Sequence, residues 1–492
     1  MKYPRKNEKY FITFLVYINI NLKKASFMRI KSLRTFILLL IISISIQAMA
    51  NTEGYEIRIN IKGISDSLCY LGNYYGDKTI IIDTAKVKKS GRFVFEGKIL
   101  LPEGIYFVVG EKKNQYFEFI IGNKQKFNID TDISNIIEKM RFNRSPENTL
   151  FYNYIRFNKQ KYLELNVLKD SLSKNKGDSI IIKKIQSINN EVVEYKEVVI
   201  KKQADSFIAT VFKAMKEPQI PDTINGGNDE ENREFSYNYY KNHYWDNIEL
   251  KNDKLLRSPI FHRKLDNYFS KILIQHPDTI IREIDLLTDK TMEGSEIFEY
   301  IIWYITNSSE RSKIMGFDKV FVYMVDNYYL KNKLPETNPF LLKNLTKRVS
   351  EIKPSMIGKY AGNLILIDTL GAFSSLYEID SDYTVVIFWD QECGTCKREI
   401  LDLKSLYEKD KLEFEVFAVC VDTNLASWRK FVKKNKLNWI NVNGTRSLSG
   451  DYHKLYDIYS TPVIYLLDNK KKIIAKRLDT KQLEGFLNNY KK

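Results

Sequence analysis

The nine residues Phe388-Trp389-Asp390-Gln391-Glu392-Cys393-Gly394-Thr395-Cys396 constrain this chain more than any other stretch. An apolar run, Thr384–Trp389, leads straight into Cys-x-x-Cys, and a helix-like segment, Cys396–Lys409, follows. A strand that feeds a helix in this way sets the first sulfur at the helix N-terminus. There the macrodipole and the free backbone N–H groups favour thiolate over thiol, and Lys397 and Arg398 stand close enough in sequence to add to the effect. The second sulfur, one turn on, can close onto the first and release a mixed disulfide. A zinc site would need a second pair of ligands at suitable spacing, and His243, His262, His276 and His453 are scattered. A c-type haem site would need histidine after Cys396, where Lys397 stands. Thiol redox chemistry is the reading that remains, ahead of a static disulfide.

The surrounding pattern suits that chemistry. Past Pro354, strand-like runs (Leu364–Ile367, Thr384–Trp389, Phe414–Val421, Trp439–Val442, Thr461–Leu467, Lys472–Lys476) alternate with helix-like ones (Cys396–Lys409, Leu425–Lys436, Ser449–Ile458, Lys481–Lys491). Such alternation predicts an α/β layer with a central sheet. Pro462 lies at the mouth of an apolar strand, within Tyr459-Ser460-Thr461-Pro462-Val463-Ile464-Tyr465. Proline cannot donate to a sheet ladder, so it is confined to strand starts and edges, and a tight turn here is a place for a cis bond. The other cysteines, Cys69 and Cys420, fall inside apolar strand-like segments and read as small buried hydrophobes.

On Phe388-Trp389, Cys393-Gly394-Thr395-Cys396, Glu399 and Thr461-Pro462, the segment from about Pro354 to Lys492 resembles the thioredoxin-fold domains of the peroxiredoxin-related, TlpA-like class of bacterial periplasms. The resemblance implies that Cys393 is the attacking thiol and Cys396 the resolving one. It implies that Pro462 is a cis-proline facing the disulfide, with the Thr461 backbone pairing with an extended substrate segment. Trp389, Gly394 and Thr395 would support the redox site. Glu399 matches an acidic position of cytochrome-maturation thioredoxins, where it would tune the thiols or shuttle protons. Three positions depart from the pattern. Ile387 replaces the buried Asp of thioredoxin, Leu401 replaces a helix-kinking Pro, and Glu392 replaces a Trp. The Glu392 charge is expected to oppose thiolate formation at Cys393. The Pro-x-x-x-Thr/Ser-x-x-Cys loop of a peroxidatic peroxiredoxin is absent, which disfavours peroxidase activity.

Upstream, 492 residues leave room for about three domains. An apolar share of 44% is enough for several cores and excludes a mainly disordered chain. Tyr55–Ile61 alternates with period two, and Thr79–Ile82, Arg92–Phe95, Gly104–Val109, Tyr116–Ile121 and Lys126–Ile129 follow between turn signals, as in a β-sandwich. Ser145-Pro146 marks a helix start, and the pattern stays helical to about Ile352, with aromatic-rich Tyr237–Trp245 and Phe298–Tyr304 read as core. On Tyr116–Gly122, Ser145–Asn148 and Met315–Asp318, this part is similar to the uncharacterised β-then-helical region that precedes such domains in Gram-negative secreted proteins.

The charge of +16 is half leader: residues 1–50 hold nine basic residues and one acidic, leaving +8 for the rest. The remaining lysines alternate with Glu and Asp, as on a solvated surface, and no Arg-rich arm points to nucleic acid. From Met28, Arg29, Lys31 and Arg34 precede the apolar Phe36–Ile46 and then Ala48-Met49-Ala50, the layout of a secretory signal. Translation is expected to start at Met28; the rival reading is an uncleaved membrane anchor.

The chain is thus expected to be multidomain. Residues 1–50 are a leader (signal peptide 28–50), 51–143 a β-sandwich, 144–352 an α-helical region and 353–492 an α/β thioredoxin fold. The expected function is periplasmic thiol–disulfide exchange on protein disulfides, in the reducing direction, without a bound cofactor or metal. A membrane thiol carrier would donate the electrons. The alternatives are an oxidant or isomerase, and a non-catalytic binding or scaffold protein. N-terminal sequencing of the exported protein should begin at or near Asn51; recovery of residues from 1–40 would contradict the leader.

Overall fold

The computed structural model describes residues 54–221, 227–334, 336–409 and 413–490; the leader and its cleavage site lie outside them. The chain separates into two compact units. One is built from the described residues up to Gly72 together with Ile81–Val192, the other from Asn73–Ile80 together with the described residues from Val193 onward.

The β-rich region contains strands β1 (Tyr55–Lys62), β2 (Leu68–Tyr75), β3 (Lys78–Lys86), β4 (Arg92–Gly97), β5 (Gly104–Gly110), β6 (Gln115–Ile121), β7 (Lys126–Asp132) and β8 (Arg141–Asn143). They form two four-stranded sheets, ordered β4-β1-β7-β8 and β3-β2-β5-β6. Period-two alternation buries Ile57, Ile59 and Ile61 of β1, and they share one core with Phe93, Phe95 and Ile129 of their own sheet and with Leu71, Tyr106, Phe117 and Phe119 of the other. Strand β8, three residues long, is too short to leave an alternation signal.

The helices α1 (Ile136–Lys139), α2 (Pro146–Lys174) and α3 (Ser179–Lys202) follow. Pro146 takes the first turn of α2, where its missing N–H costs nothing. Asn148, buried at 1% exposure, bonds both the N–H and the C=O of Ile120 at 2.7 Å and ties α2 to β6.

The second unit continues with α4 (Phe207–Ala214), α5 (Asp229–His243), α6 (Pro259–Asn267), α7 (Pro277–Thr288), α8 (Glu296–Glu310), α9 (Asp318–Met324) and α10 (Pro339–Ile352). Three of these open on Pro behind a capping side chain: Ser258, His276 and Asn338. The expected aromatic core is present, with Tyr244, Trp245, Phe298 and Tyr300 buried.

The C-terminal α/β domain has strands β9 (Ile365–Asp368), β10 (Phe373–Ser375), β11 (Tyr383–Trp389), β12 (Glu415–Cys420), β13 (Ile440–Ser447), β14 (Val463–Asp468) and β15 (Ile473–Lys476). Their order is β10-β9-β13-β12-β11-β14-β15, with β11, β12 and β13 parallel. Helices α11 (Gly394–Tyr407), α12 (Leu425–Asn435), α13 (Tyr452–Tyr456) and α14 (Thr480–Tyr490) complete it. Val385, Ile387 and Trp389 face one buried layer with Ile400, Trp428 and Leu483, while Val386 and Phe388 face another with Phe417, Tyr456 and Tyr465. Burial on both faces explains why β11 reads as a continuous apolar run.

The outermost strand β15 also meets the helical region. Lys476 is 2% exposed, and its ammonium lies 2.6 Å from the Asp318 carboxylate at the start of α9 and donates to the Ser355 carbonyl at 2.9 Å. Removing one partner of a buried pair leaves the other uncompensated, at a cost of about 3–5 kcal/mol. Lys476→Met should therefore lower the urea midpoint of this unit strongly, and adding Asp318→Asn should recover much of the loss.

Candidate functional site

Strand β11 ends at Trp389, and three residues carry the chain to Cys393, which takes the cap position of α11. Its sulfur accepts the Cys396 N–H at 3.3 Å, a task that Ser or Asp usually performs at a helix start. The Cys393 N–H donates to the Asp390 carbonyl at 3.3 Å, and the Cys393 carbonyl takes the first helical bond from Lys397 at 3.0 Å. Cys393 is half-buried, whereas Cys396, one turn on, is fully buried among Trp389 and Ile400.

The two thiols differ in acidity. The Cys396 thiol, donating to the Cys393 sulfur, is the largest of the effects that hold Cys393 below the ordinary thiol value; the backbone N–H groups of Cys396 and Thr395 add to it. Partial burial and the Asp390 carboxylate oppose them. Cys396 is pushed up to about 11, mainly by burial and then by its bond to Cys393, with a hydrogen bond from Thr461 offsetting part of the rise. Of the two sulfurs the outer one is therefore the more acidic.

The structure brings Cys393, Cys396, Trp389 and the Thr461–Pro462 turn together. The Thr461–Pro462 bond is cis. Trp389 is fully buried against Phe431 of α12, with ring centroids 5.3 Å apart. Gly394 and Thr395 are exposed; a Cβ on Gly394 would meet nothing within 4 Å, and Thr395 accepts from the Arg398 guanidinium at 3.2 Å.

Three expectations need correction. Glu399 does not face the sulfurs: its carboxylate accepts from the Thr480 N–H at 2.5 Å and the Thr480 hydroxyl at 2.6 Å, fastening α11 to the first turn of α14. The carboxylate that leads the opposition to the Cys393 thiolate is Asp390 rather than Glu392, and the Asp390 carboxylate turns back to accept from the Glu392 N–H at 2.7 Å. Neither Lys397 nor Arg398 is among the leading groups that shift Cys393.

Gln391, for which the sequence suggested no role, and the buried Cys420 complete the floor of the site. Gln391 is 2% exposed and donates to the Asp422 carboxylate at 3.1 Å and the Asn424 carbonyl at 3.3 Å. Cys420, paired in register with Trp389, accepts from the Asp422 and Gln391 backbones, and burial pushes its thiol up to about 12. The Asp-x-Glu spacing of a side-chain-bonded turn was the one local signal for Asp390. Among the described residues no cluster of His, Cys, Asp and Glu is arranged to hold a metal ion, and no helix is long and apolar enough to cross a membrane.

Residues 357–476 match the AhpC/TSA family. Residues 55–151 and 174–350 match two domains of unknown function, DUF4369 and DUF5106. The thiol-disulfide oxidoreductase ResA of Bacillus cereus (strain ZK / E33L) is 28% identical over 136 residues, covering 27% of this chain and 76% of the relative. Among solved structures, a domain of a possible thiol-disulfide isomerase from Cytophaga hutchinsonii is 38% identical, covering 28% of this chain and 95% of that one, with a TM-score of 0.26. A thioredoxin-like protein from Bacteroides caccae is 21% identical, covering 56% of this chain and 97% of that one, with a TM-score of 0.34. The C-terminal α/β part of this chain is accordingly a thioredoxin-like domain of the AhpC/TSA family, standing behind two N-terminal domains of unknown function.

Proposed function

We propose that this protein is a periplasmic thiol–disulfide oxidoreductase that reduces disulfides in protein substrates through Cys393 and Cys396. The unequal pair of thiols carries this reading: a half-buried sulfur held below the ordinary thiol value beside a buried one pushed up to about 11. The Cys393 thiolate attacks one sulfur of the substrate disulfide; an S–S bond forms to Cys393, and the other substrate sulfur leaves as thiolate and takes a proton. Cys396 then loses its proton and attacks the Cys393 sulfur, releasing the second substrate thiolate. Two electrons and two protons pass to the substrate, and a Cys393–Cys396 disulfide remains. A thiol carrier at the membrane would return the pair to the reduced state.

In this scheme the Thr461 backbone pairs with an extended substrate segment and Pro462 faces the disulfide. Trp389 walls the pair, while Gly394 and Thr395 leave its outer side open. Glu399 contributes by holding α11 against α14. The secretory leader read from residues 28–50 supports export, and the relatives named as thiol-disulfide oxidoreductases support the reaction class. The reducing direction is supported by the Asp390 charge, which opposes the Cys393 thiolate. We read the chain as a β-sandwich over 51–143, a helical region over 144–352 and the thioredoxin-like domain over 353–492; the single core shared by the two sheets supports the sandwich.

Purified protein should accelerate dithiothreitol-driven insulin reduction, and Cys393→Ser should fall to the uncatalysed rate. Wild type at the uncatalysed rate would favour a scaffold instead. Cys396→Ala should retain a covalent adduct on Cys393 after exposure to substrate, while Cys393→Ala should retain none. Because the Cys396 thiol is the first contributor to the lowered Cys393 value, Cys396→Ala should move the thiolate absorbance titration at 240 nm to higher pH. An unchanged titration would remove the Cys396 contribution from the account.

A further inference from the structure

The loop that brings Thr461 to the cysteine pair is gripped from outside the α/β sheet. It leaves α13 at Asp457, a residue 3% exposed with a left-handed backbone (φ +54°). A buried carboxylate is costly unless it is paired, and this one has two guanidinium partners. Arg477, just past β15, donates to it at 2.7 Å, and Arg348 of α10 binds both of its oxygens, one at 3.1 Å. Two residues on, the Tyr459 ring lies 5.0 Å from the Arg348 guanidinium, and its hydroxyl donates to Glu351, also on α10. Only Ser460 then separates Tyr459 from Thr461, and the pairing of Val463 with Phe388 sets the Thr461–Pro462 turn beside the end of β11, where the cysteine pair begins.

We propose that α10 sets the position of the Thr461–Pro462 turn against the cysteine pair, with Arg348 and Glu351 as positioning residues. The inference rests on the thiol–disulfide exchange proposed above and adds a part for the helical region in it. With Arg348 shortened, Asp457 keeps Arg477 as a partner, so the domain still folds, but the loop loses its hold on the α10 side. Thr461 then shifts relative to Cys396, and the backbone edge on which an extended protein segment would lie moves with it. A small disulfide needs only the outer sulfur of Cys393 and does not use that edge. Loss of the grip therefore separates protein disulfides from small ones.

The test uses the full chain carrying Arg348→Met, Arg348→Lys or Tyr459→Phe. Hydrogen–deuterium exchange is followed in the peptide spanning residues 457–463 and in α11, together with kcat/KM for insulin and the rate with 5,5′-dithiobis(2-nitrobenzoate). For Arg348→Met, exchange in 457–463 should quicken by about tenfold while α11 is unchanged, as expected of local opening. Its kcat/KM for insulin should fall by about tenfold with the small-disulfide rate held within about twofold, because an ångström-scale misplacement acts on positioning alone. Arg348→Lys should recover part of both effects, and Tyr459→Phe should move both in the same direction by less. Equal losses on insulin and the small disulfide, or unchanged exchange in 457–463, would overturn the inference. If wild type fails to reduce insulin, the proposed reaction falls, and the exchange data still decide whether α10 holds the turn.

Discussion

A helix that begins at Gly394 leaves its first backbone N–H groups without partners inside the helix, and in this chain a cysteine sulfur meets them. Cys393 accepts the Cys396 N–H at 3.3 Å, so the group that caps α11 is also the group whose acidity matters. Much of the domain serves that one placement. Strand β11, buried on both faces, delivers the chain to the cap at a fixed height. Asp390 and Gln391 form the turn between strand and helix, and Gln391 is locked to the next strand's exit through Asp422 and Asn424. Glu399 secures the same helix one turn further on by capping the start of α14. The outer sulfur is thereby eased toward thiolate while the inner one, sunk in the apolar layer, keeps its proton.

The features legible in the sequence were those that repeat or that pair with a fixed chemistry. The apolar run before Cys393, the strand–helix alternation after Pro354 and the proline opening β14 all follow from burial and hydrogen-bonding rules that act locally. What was not legible depends on the path of side chains through space. Glu392 adjoins Cys393 in sequence, yet its side chain is exposed and the turn presents Asp390 to the sulfur instead. Glu399 lies three residues past Cys396, almost one helical turn, but its partner is Thr480, eighty-one residues away. Cys420 read as a buried hydrophobe, and it is one; only strand register puts it next to Trp389 under the site. Strand β10 and strand β8 are three residues each, too short for periodicity to register.

The helical region has a further bearing on the α/β domain. Charged groups, and not apolar area alone, mark where they meet: Lys476 with Asp318, and Arg348 with Asp457. Buried charge pairs add little net stability but penalise any arrangement that separates them. A contact of this kind defines one relative placement of α10 and the loop before β14 and disfavours neighbouring ones.

In the proposed reaction Cys393 and Cys396 act as one dithiol that gives up two electrons. Equilibrating the protein across glutathione redox buffers, and counting the Cys393–Cys396 disulfide by mass spectrometry at each potential, tests this most directly. The expected result is a two-electron transition between these two cysteines, with Cys69 and Cys420 remaining thiols and a midpoint toward the thioredoxin value of about −270 mV. A midpoint near that of a dedicated disulfide donor, about −120 mV, or a disulfide involving a different cysteine, would contradict it.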